Sequence, residues 1–319
     1  MTNFFPIPQP DPPLPPWQSL PTMYDLKSED PKEPGLPDEF HDLQPQLLSR
    51  TLRLNNYTTD QFFIGTDLNL YYDLEHPLWH KRPDWFLAVG VPRLYAGQDL
   101  RRSFVQWQER RSPFVIVELL SPGTEKEDLG IYAESDTLIS SPPQENREIL
   151  NGEVTKDTPP TKWEVYEQIL RVPYYIVFSR YTNRLRFFQL VGGQYQEQSL
   201  EPENPRIWIP ELEIALGLWQ GEFDGISRTW MRWCDAQGNW IPTDTEQERT
   251  EKEQALQQVE QVLQQLEEEQ AEKAQALQQL EQARQQFLQV AQNLLQSGMA
   301  IAQVSQITGL PETEVQKLQ

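Results

Sequence analysis

Phe114-Val115-Ile116-Val117-Glu118-Leu119-Leu120-Ser121-Pro122 decides how this chain is read. The β-branched and aromatic run predicts a strand, in which Phe114, Ile116, Glu118 and Leu120 share one face. Glu118 is then a charge at the end of an apolar strand, costly to bury unless paired or bound to a cation. Ser121-Pro122-Gly123 breaks the strand. Upstream, Pro83-Asp84-Trp85-Phe86-Leu87-Ala88-Val89 puts a second carboxylate at the mouth of another apolar strand. Two strand-end carboxylates that meet across a sheet are hard oxygen ligands suited to Mg²⁺ or Mn²⁺. A purely structural reading stays open beside this one: Asp84 caps a turn, and Glu118 pairs with an arginine such as Arg102.

Around these strands lie further apolar runs of strand length at 61–72, 174–178, 184–191 and 195–200. Gly192-Gly193 between the last two signals a hairpin. A helix is expected at 43–54. Another is expected at 162–170, where Val165 and Ile169, like Tyr166 and Leu170, stand four apart on one stripe. Pro173 accounts for its end. The polar stretch 131–161, with Ser-Ser-Pro-Pro at 140–143 and Thr-Pro-Pro at 158–160, reads as an inserted loop. The order helix, strands, helix, strands predicts an α/β (or α+β) core over 38–243, its mixed central sheet flanked by helices. Nine of the ten tryptophans fall in this region.

Residues 1–37 hold 11 of the 27 prolines. Such a run cannot donate backbone hydrogen bonds regularly, so it reads as a disordered arm, either loose or a docking peptide. Residues 244–296 contain neither Pro nor Gly and carry a seven-residue repeat. Its a/d-type positions are Leu256, Val259, Leu263, Leu266, Gln270, Lys273, Leu277, Leu280, Arg284, Phe287, Ala291 and Leu294. Nine of the twelve are apolar, which predicts a coiled coil on the order of 58 Å long. So long a helix has no core of its own and needs a partner, most simply a second copy in a homodimer; folding back on the core is the alternative. Residues 297–319 outline a small helix-turn-helix-like unit around Thr308-Gly309-Leu310-Pro311. Lys317 is its only basic residue, so packing or dimer capping is favoured over DNA reading.

Composition narrows the classes. There are 319 residues, 27 Lys+Arg against 48 Asp+Glu, and a formal net charge of −21. That acidity argues against a protein that coats nucleic acid through a basic surface. It does not exclude an enzyme whose carboxylates hold a cation before a phosphate. Cys234 is the sole cysteine, which excludes an internal disulfide framework and a Cys-rich zinc site. No apolar stretch has membrane-helix length, and residues 1–16 lack the features of a secretory signal; a cytoplasmic location is expected. His76 and His80 stand four apart, but Pro77 intervenes and the glutamate of a zinc-protease motif is missing. No phosphate-cradling or dinucleotide Gly-rich loop occurs.

The ordered set Pro83-Asp84, Val117-Glu118-Leu119-Leu120-Ser121-Pro122-Gly123-Thr124, Asp128, Lys162-x-x-x-Tyr166 and Val172-Pro173-Tyr174-Tyr175-Ile176-Val177 resembles the Uma-two family. These are restriction-endonuclease-like proteins of the PD-(D/E)XK nuclease superfamily. The hairpin near Gly193 and Tyr195 and the closing Ile209-Pro210-Glu211-Leu212 also fit, so the resemblance spans about 38–243. It implies a restriction-endonuclease-like fold and metal-assisted phosphodiester hydrolysis, with Asp84 and Glu118 as the metal-binding pair. The superfamily's usual lysine, two residues after the glutamate, is Leu120 here. The family commonly carries a lysine on the following helix instead, which Lys162 matches. Asp128 matches an intervening acidic residue, and Lys126 is the nearer substitute if the loop keeps Lys162 away.

Two functions follow. One is a Mg²⁺- or Mn²⁺-dependent DNA endonuclease, dimeric through its coiled coil, with Asp84, Glu118 and Lys162 catalytic and Asp128, Lys126 and Tyr166 ancillary. The other is a catalytically inactive nuclease-fold interaction protein that assembles through its coiled coil and proline-rich arm. A groove formed by Lys81, Arg82, Arg93, Arg101, Arg102, Arg110 and Arg111 would favour the first.

Overall fold

Asp38 opens the first element of the fold: its carboxylate accepts the backbone N–H of His41 and caps helix α1 (Glu39–Thr51). The cap explains why the helix starts four residues before the expected 43. The computed structural model describes residues 38–121, 123–136 and 158–318. The expected proline-rich arm at 1–37, and residues 137–157 of the expected loop, lie outside the described residues.

After α1 come β1 (Phe62–Thr66), β2 (Leu70–Tyr71), β3 (His80–Lys81), β4 (Trp85–Val89), β5 (Phe104–Val105), α2 (Gln106–Glu109), β6 (Val115–Leu119) and α3 (Glu125–Leu129). A 3₁₀ segment, Gly130–Asp136, follows. Then α4 (Lys162–Glu164) runs into a π turn at Val165–Ile169. Next are β7 (Tyr174–Ser179), β8 (Arg184–Val191), β9 (Gln194–Glu197), β10 (Arg206–Ile209), β11 (Ile214–Phe223) and β12 (Ile226–Cys234).

The central sheet has the order β1-β4-β6-β7-β8-β9. Only the β6–β7 pairing is parallel; the rest are antiparallel, so the sheet is mixed as expected. One face packs on α1 and the β10-β11-β12 sheet, through Trp85, Leu87, Val115, Val117 and Ile176 meeting Phe40, Leu47, Trp230 and Trp233. The other carries Phe86, Ile116, Leu120, Tyr175 and Val177 against Trp163, Val165, Tyr166 and the small β3-β2-β5 sheet. Alternation along β6 therefore sends Glu118 to this second face. Phe114 departs from the expectation: it lies ahead of the strand and packs with Tyr174 on the first face.

Three other expectations are revised. The run 61–72 is two strands, broken at Asp67, which sits in the left-handed region. The helix at 162–170 is α-helical for its first three residues and π thereafter. The β10-β11-β12 sheet was not anticipated as strands at all.

The described residues divide into two compact units between Asp244 and Thr245. The second consists of α5, a 53-residue helix (Asp244–Gln296) but for its first residue, then α6 (Ile301–Thr308) and α7 (Glu312–Val315). Gly309, in the left-handed conformation, caps α6. Ala291, Val304 and Val315 form the small core of this unit. Among the described residues no helix is long and apolar enough to cross a membrane.

Candidate active site

The register of β4 against β6 brings the two strand-end carboxylates together. Trp85 pairs with Val117 and Phe86 with Ile116, so the next rung sets Asp84 opposite Glu118. The Asp84 N–H points at Glu118 Oε2, 3.4 Å away, and the Leu119 N–H donates to Asp84 Oδ2 at 2.6 Å. Glu118 is buried, and Asp84 is partly exposed at the rim.

Lys162 reaches this pair from another layer. A capping box between Thr161 and Glu164 fixes the start of α4. The Lys162 N–H is held by Glu127 Oε1 at 2.9 Å, and Lys81 Nζ sits on the same oxygen at 2.6 Å. From this anchor Lys162 Nζ donates to Glu118 Oε2 at 2.9 Å and lies 3.3 Å from Asp128 Oδ1. Tyr166, four residues on, donates its hydroxyl to Glu118 Oε1 at 2.8 Å. Both oxygens of Glu118 are thus engaged from one helical face. The π turn that begins at Val165 includes Tyr166; single π turns recur at functional sites.

The electrostatics are those of a cation surrounded by an excess of carboxylate. Burial raises the Glu118 carboxyl well above its ordinary value; the Lys162 charge opposes this, while Asp84 and Asp128 add to it. Burial likewise raises Asp128, against the pull of Lys162. For Lys162, burial works to lower the ammonium, but Asp128, Glu118 and Asp84 outweigh it and hold it well above its ordinary value. Burial and the Glu118 charge push the Tyr166 hydroxyl upward, so it stays a donor. Three carboxylates face one lysine here.

Helix α1 closes the opposite side. His41, 4 % exposed, has Nε2 3.0 Å from the Leu119 carbonyl oxygen and 3.2 Å from Ser121 Oγ. Its Nδ1 lies 2.8 Å from Asp38 Oδ1, and Asp38 is paired with Arg180 at 2.6 Å. Burial works to lower the imidazole, but the Asp38 bond and the charges of Asp84 and Asp38 raise it. The backbone of Leu119 is therefore held on both sides of its Cα, its N–H by Asp84 and its C=O by His41. Beside Asp84 a cleft of about 300 Å³ opens, lined by His41, Asp42, Gln46, Arg50, Thr66 and Asp67 among others.

The structure brings together Asp84, Glu118, Asp128, Lys162 and Tyr166. Lys126 is not among them: it is exposed and lines a separate pocket with Trp163 and Tyr195. Arg102 is exposed and does not pair with Glu118. Three of the seven residues of the basic cluster are otherwise engaged. Lys81 is on Glu127, Arg82 is 3.6 Å from Asp67, and Arg101, whose side chain is 1 % exposed, is on Glu109. Sequence reasoning missed His41 and Glu127; their signal is visible only in hindsight, as an N-cap spacing (Asp38, His41) and an acidic residue beside Asp128.

As a metal site, Asp84 and Glu118 provide two carboxylates. Among the described residues no group of three or more His, Cys, Asp or Glu side chains has metal-holding geometry. Two carboxylates suffice for Mg²⁺, which typically completes its octahedron with water and substrate phosphate. The uncompensated negative charge around Lys162 is what a divalent cation neutralises, so the donor set fits.

A family model, Uma2, described as "Putative restriction endonuclease", matches residues 23–226, well over half of the chain. A second, described as "Rpn/YhgA-like nuclease family, C-terminal HTH domain", matches residues 284–319. No curated protein matches. The second match starts inside α5, at Arg284, whose guanidinium pairs with Glu314 of α7; the terminal unit is larger than the expected 297–319.

Proposed function

The chain belongs to the Uma2 family, a family of restriction-endonuclease-like proteins, and on that premise we propose that it is a metal-dependent endonuclease hydrolysing DNA phosphodiester bonds. The observation that carries the reading is Lys162 Nζ at 2.9 Å from Glu118 beside Asp84, at the end of the central strands. Asp84 and Glu118 would hold Mg²⁺ or Mn²⁺. The chemistry such an ion would supply there is Lewis-acid polarisation of the phosphate and activation of water for attack.

The protein's own groups do the rest. Lys162 keeps its charge, since the surrounding carboxylates raise its pKa, and it offsets the negative charge that builds on the phosphate oxygens. Tyr166 holds Glu118 Oε1, leaving the carboxylate one fixed orientation. Glu127 holds the start of α4 and so sets the reach of Lys162. Asp84 is the rim residue through which the phosphate approaches. A second copy of the chain, paired through the heptad helix, supplies a second site for the second DNA strand.

The test is nicking of supercoiled plasmid with Mg²⁺ or Mn²⁺, wild type beside Glu118→Ala and Lys162→Ala. The reading expects metal-dependent cleavage that both variants lose. Loss in Glu118→Ala alone keeps the metal site and removes Lys162 from it. A second reading, an inactive interaction protein on the same fold, is favoured by one observation: Lys81, Arg82 and Arg101 are neutralised by the protein's own carboxylates, which leaves fewer cations for a DNA backbone. A folded, metal-supplied wild type that cleaves nothing would support it.

A further inference from the structure

The apolar seam of α5 is left bare. Leu256, Val259, Leu263, Leu266, Leu277, Leu280 and Phe287 are between 48 and 67 % exposed. Nothing within their own unit covers them. The seam does not run the full expected length. Ala291 is completely buried under Val304 and Val315, Leu294 packs into the same small core, and Arg284 is drawn to Glu314. The free seam therefore ends near Phe287, about 47 Å from Leu256 at helical rise.

We propose that this seam pairs with the same seam of a second copy, parallel and in register, and that the terminal unit is the stop that fixes the register. The inference rests on the second-copy reading above and is independent of nuclease activity. Three observations set the direction. First, the flanking charges are arranged for it. A parallel pair sets Ala255 against Glu260 of the other chain, Val262 against Glu267, Glu269 against Ala274 and Ala276 against Glu281. No two glutamates face. The antiparallel pair of equal overlap sets Glu260 against Glu281 twice, a like-charge contact that destabilises.

Second, the two cations on the seam are neutralised within their own chain. Lys273 Nζ pairs with Glu269 at 2.7 Å, and Arg284 with Glu314. Self-stacking of these layers therefore does not bring two bare charges together. Third, Gln270 is the one uncharged polar seam residue. In the parallel pair it meets its own copy, and two side-chain amides can each donate and accept. A single polar layer of this kind selects register at some cost in stability. A slip by one heptad would set the partner's Arg284 against Ala291 and the partner's Phe287 against Leu294, which already pack into the small core with α6 and α7.

Single-cysteine variants of the full chain test this. The native Cys234 is fully buried and does not compete. Val259→Cys and Leu280→Cys are oxidised separately, with Gln257→Cys as an outward-facing control. The parallel pair expects self-crosslinking at both seam positions, roughly an order of magnitude faster than at the control because pairing raises the local thiol concentration. No self-crosslink at either, with an efficient mixed crosslink between Leu263→Cys and Leu280→Cys chains, overturns the orientation but keeps the dimer. A chain that light scattering finds monomeric overturns both.

Discussion

Lys162 Nζ lies 2.9 Å from Glu118 Oε2, although 44 residues separate them. The position that could supply a lysine from the same strand face is Leu120, which is 2 % exposed in the core. The cation therefore arrives from α4, in a different layer, and its placement depends on the capping box at Thr161 and on Glu127.

Removing the charge on either partner has opposite effects on stability. Lys162→Met strands a buried carboxylate cluster and is expected to cost on the order of 2–4 kcal/mol. Glu118→Gln removes one of three mutually repelling carboxylates and is expected to leave the melting temperature unchanged or raised. Both are expected to lower the proposed metal-dependent cleavage by about 10²-fold or more. Thermal melts run beside the cleavage assay check this; a Glu118→Gln variant that melts well below wild type contradicts it.

Tyr166→Phe removes one hydrogen bond to Glu118 and nothing else. The carboxylate loses a buried partner, at about 1–3 kcal/mol. Cleavage should fall by about tenfold, far less than in Lys162→Met, because the charge and the metal-binding pair are intact. Equal losses in the two variants would mean that the tyrosine does more than orient.

Gly130 touches neither carboxylate, yet it controls α4. Its φ is +51°, and a Cβ there would stand 2.6 Å from Trp163 Cγ, next to Lys162. Gly130→Ala strains the backbone and displaces the indole, with an expected loss of about 1–3 kcal/mol. Cleavage should fall together with stability, and Mg²⁺ affinity should change little. A measured Mg²⁺ affinity that collapses in this variant would place the glycine in the metal site itself.

Stability of the metal-free protein should rise as pH is lowered from about 8 toward 5. Glu118 and Asp128 have raised pKa values in the folded state, so they bind protons there more readily than in the unfolded chain. Their contribution is full below the ordinary carboxylate range and is lost as pH rises through the folded values. His41 acts in the same direction: its raised pKa stabilises below the ordinary imidazole value of 6.5 and is lost above it. Asp38, lowered by His41 and Arg180 against its burial, opposes this only below about pH 4. Denaturant midpoints across this range should show a shallower slope in Glu118→Gln, and in His41→Gln a slope flattened only above 6.5.

The central sheet was legible because β4 and β6 are short, apolar and closed by Pro or Gly, and their strand-end carboxylates stand out against that background. The juxtaposition of Lys162 with Glu118 was not legible from spacing, because residues 131–161 intervene and only the family pattern ties them. The β10-β11-β12 sheet was missed for a physical reason. Gly217 and Gly221 interrupt β11 because Trp240 and Trp219 lie where side chains would otherwise stand. Arg232 interrupts β12, yet it is 4 % exposed, donating to the Ile241 carbonyl oxygen and lying over Trp219. Gln44 reads as a solvent position of α1, but it is fully buried, exchanging two hydrogen bonds with the Met231 backbone. Gln44 and Arg232 are polar residues whose partners lie outside their own elements, which periodicity does not register.

The backbone of Leu119 is tied to Asp84 by its N–H and faces His41 Nε2 with its C=O, so two successive peptide groups joined at one Cα link a carboxylate, a strand end and a helix. Because the two groups share the Leu119 Cα, a shift of this strand end that disturbs one contact strains the other. Asp84→Asn and His41→Gln should therefore be non-additive: after the first has loosened this strand end, the second has less left to disrupt. A double-mutant cycle on unfolding free energy should return a coupling of about 0.5–3 kcal/mol between two side chains that do not touch. Movement at the start of α1 is then felt at the rim of the site as displacement of the Leu119 backbone.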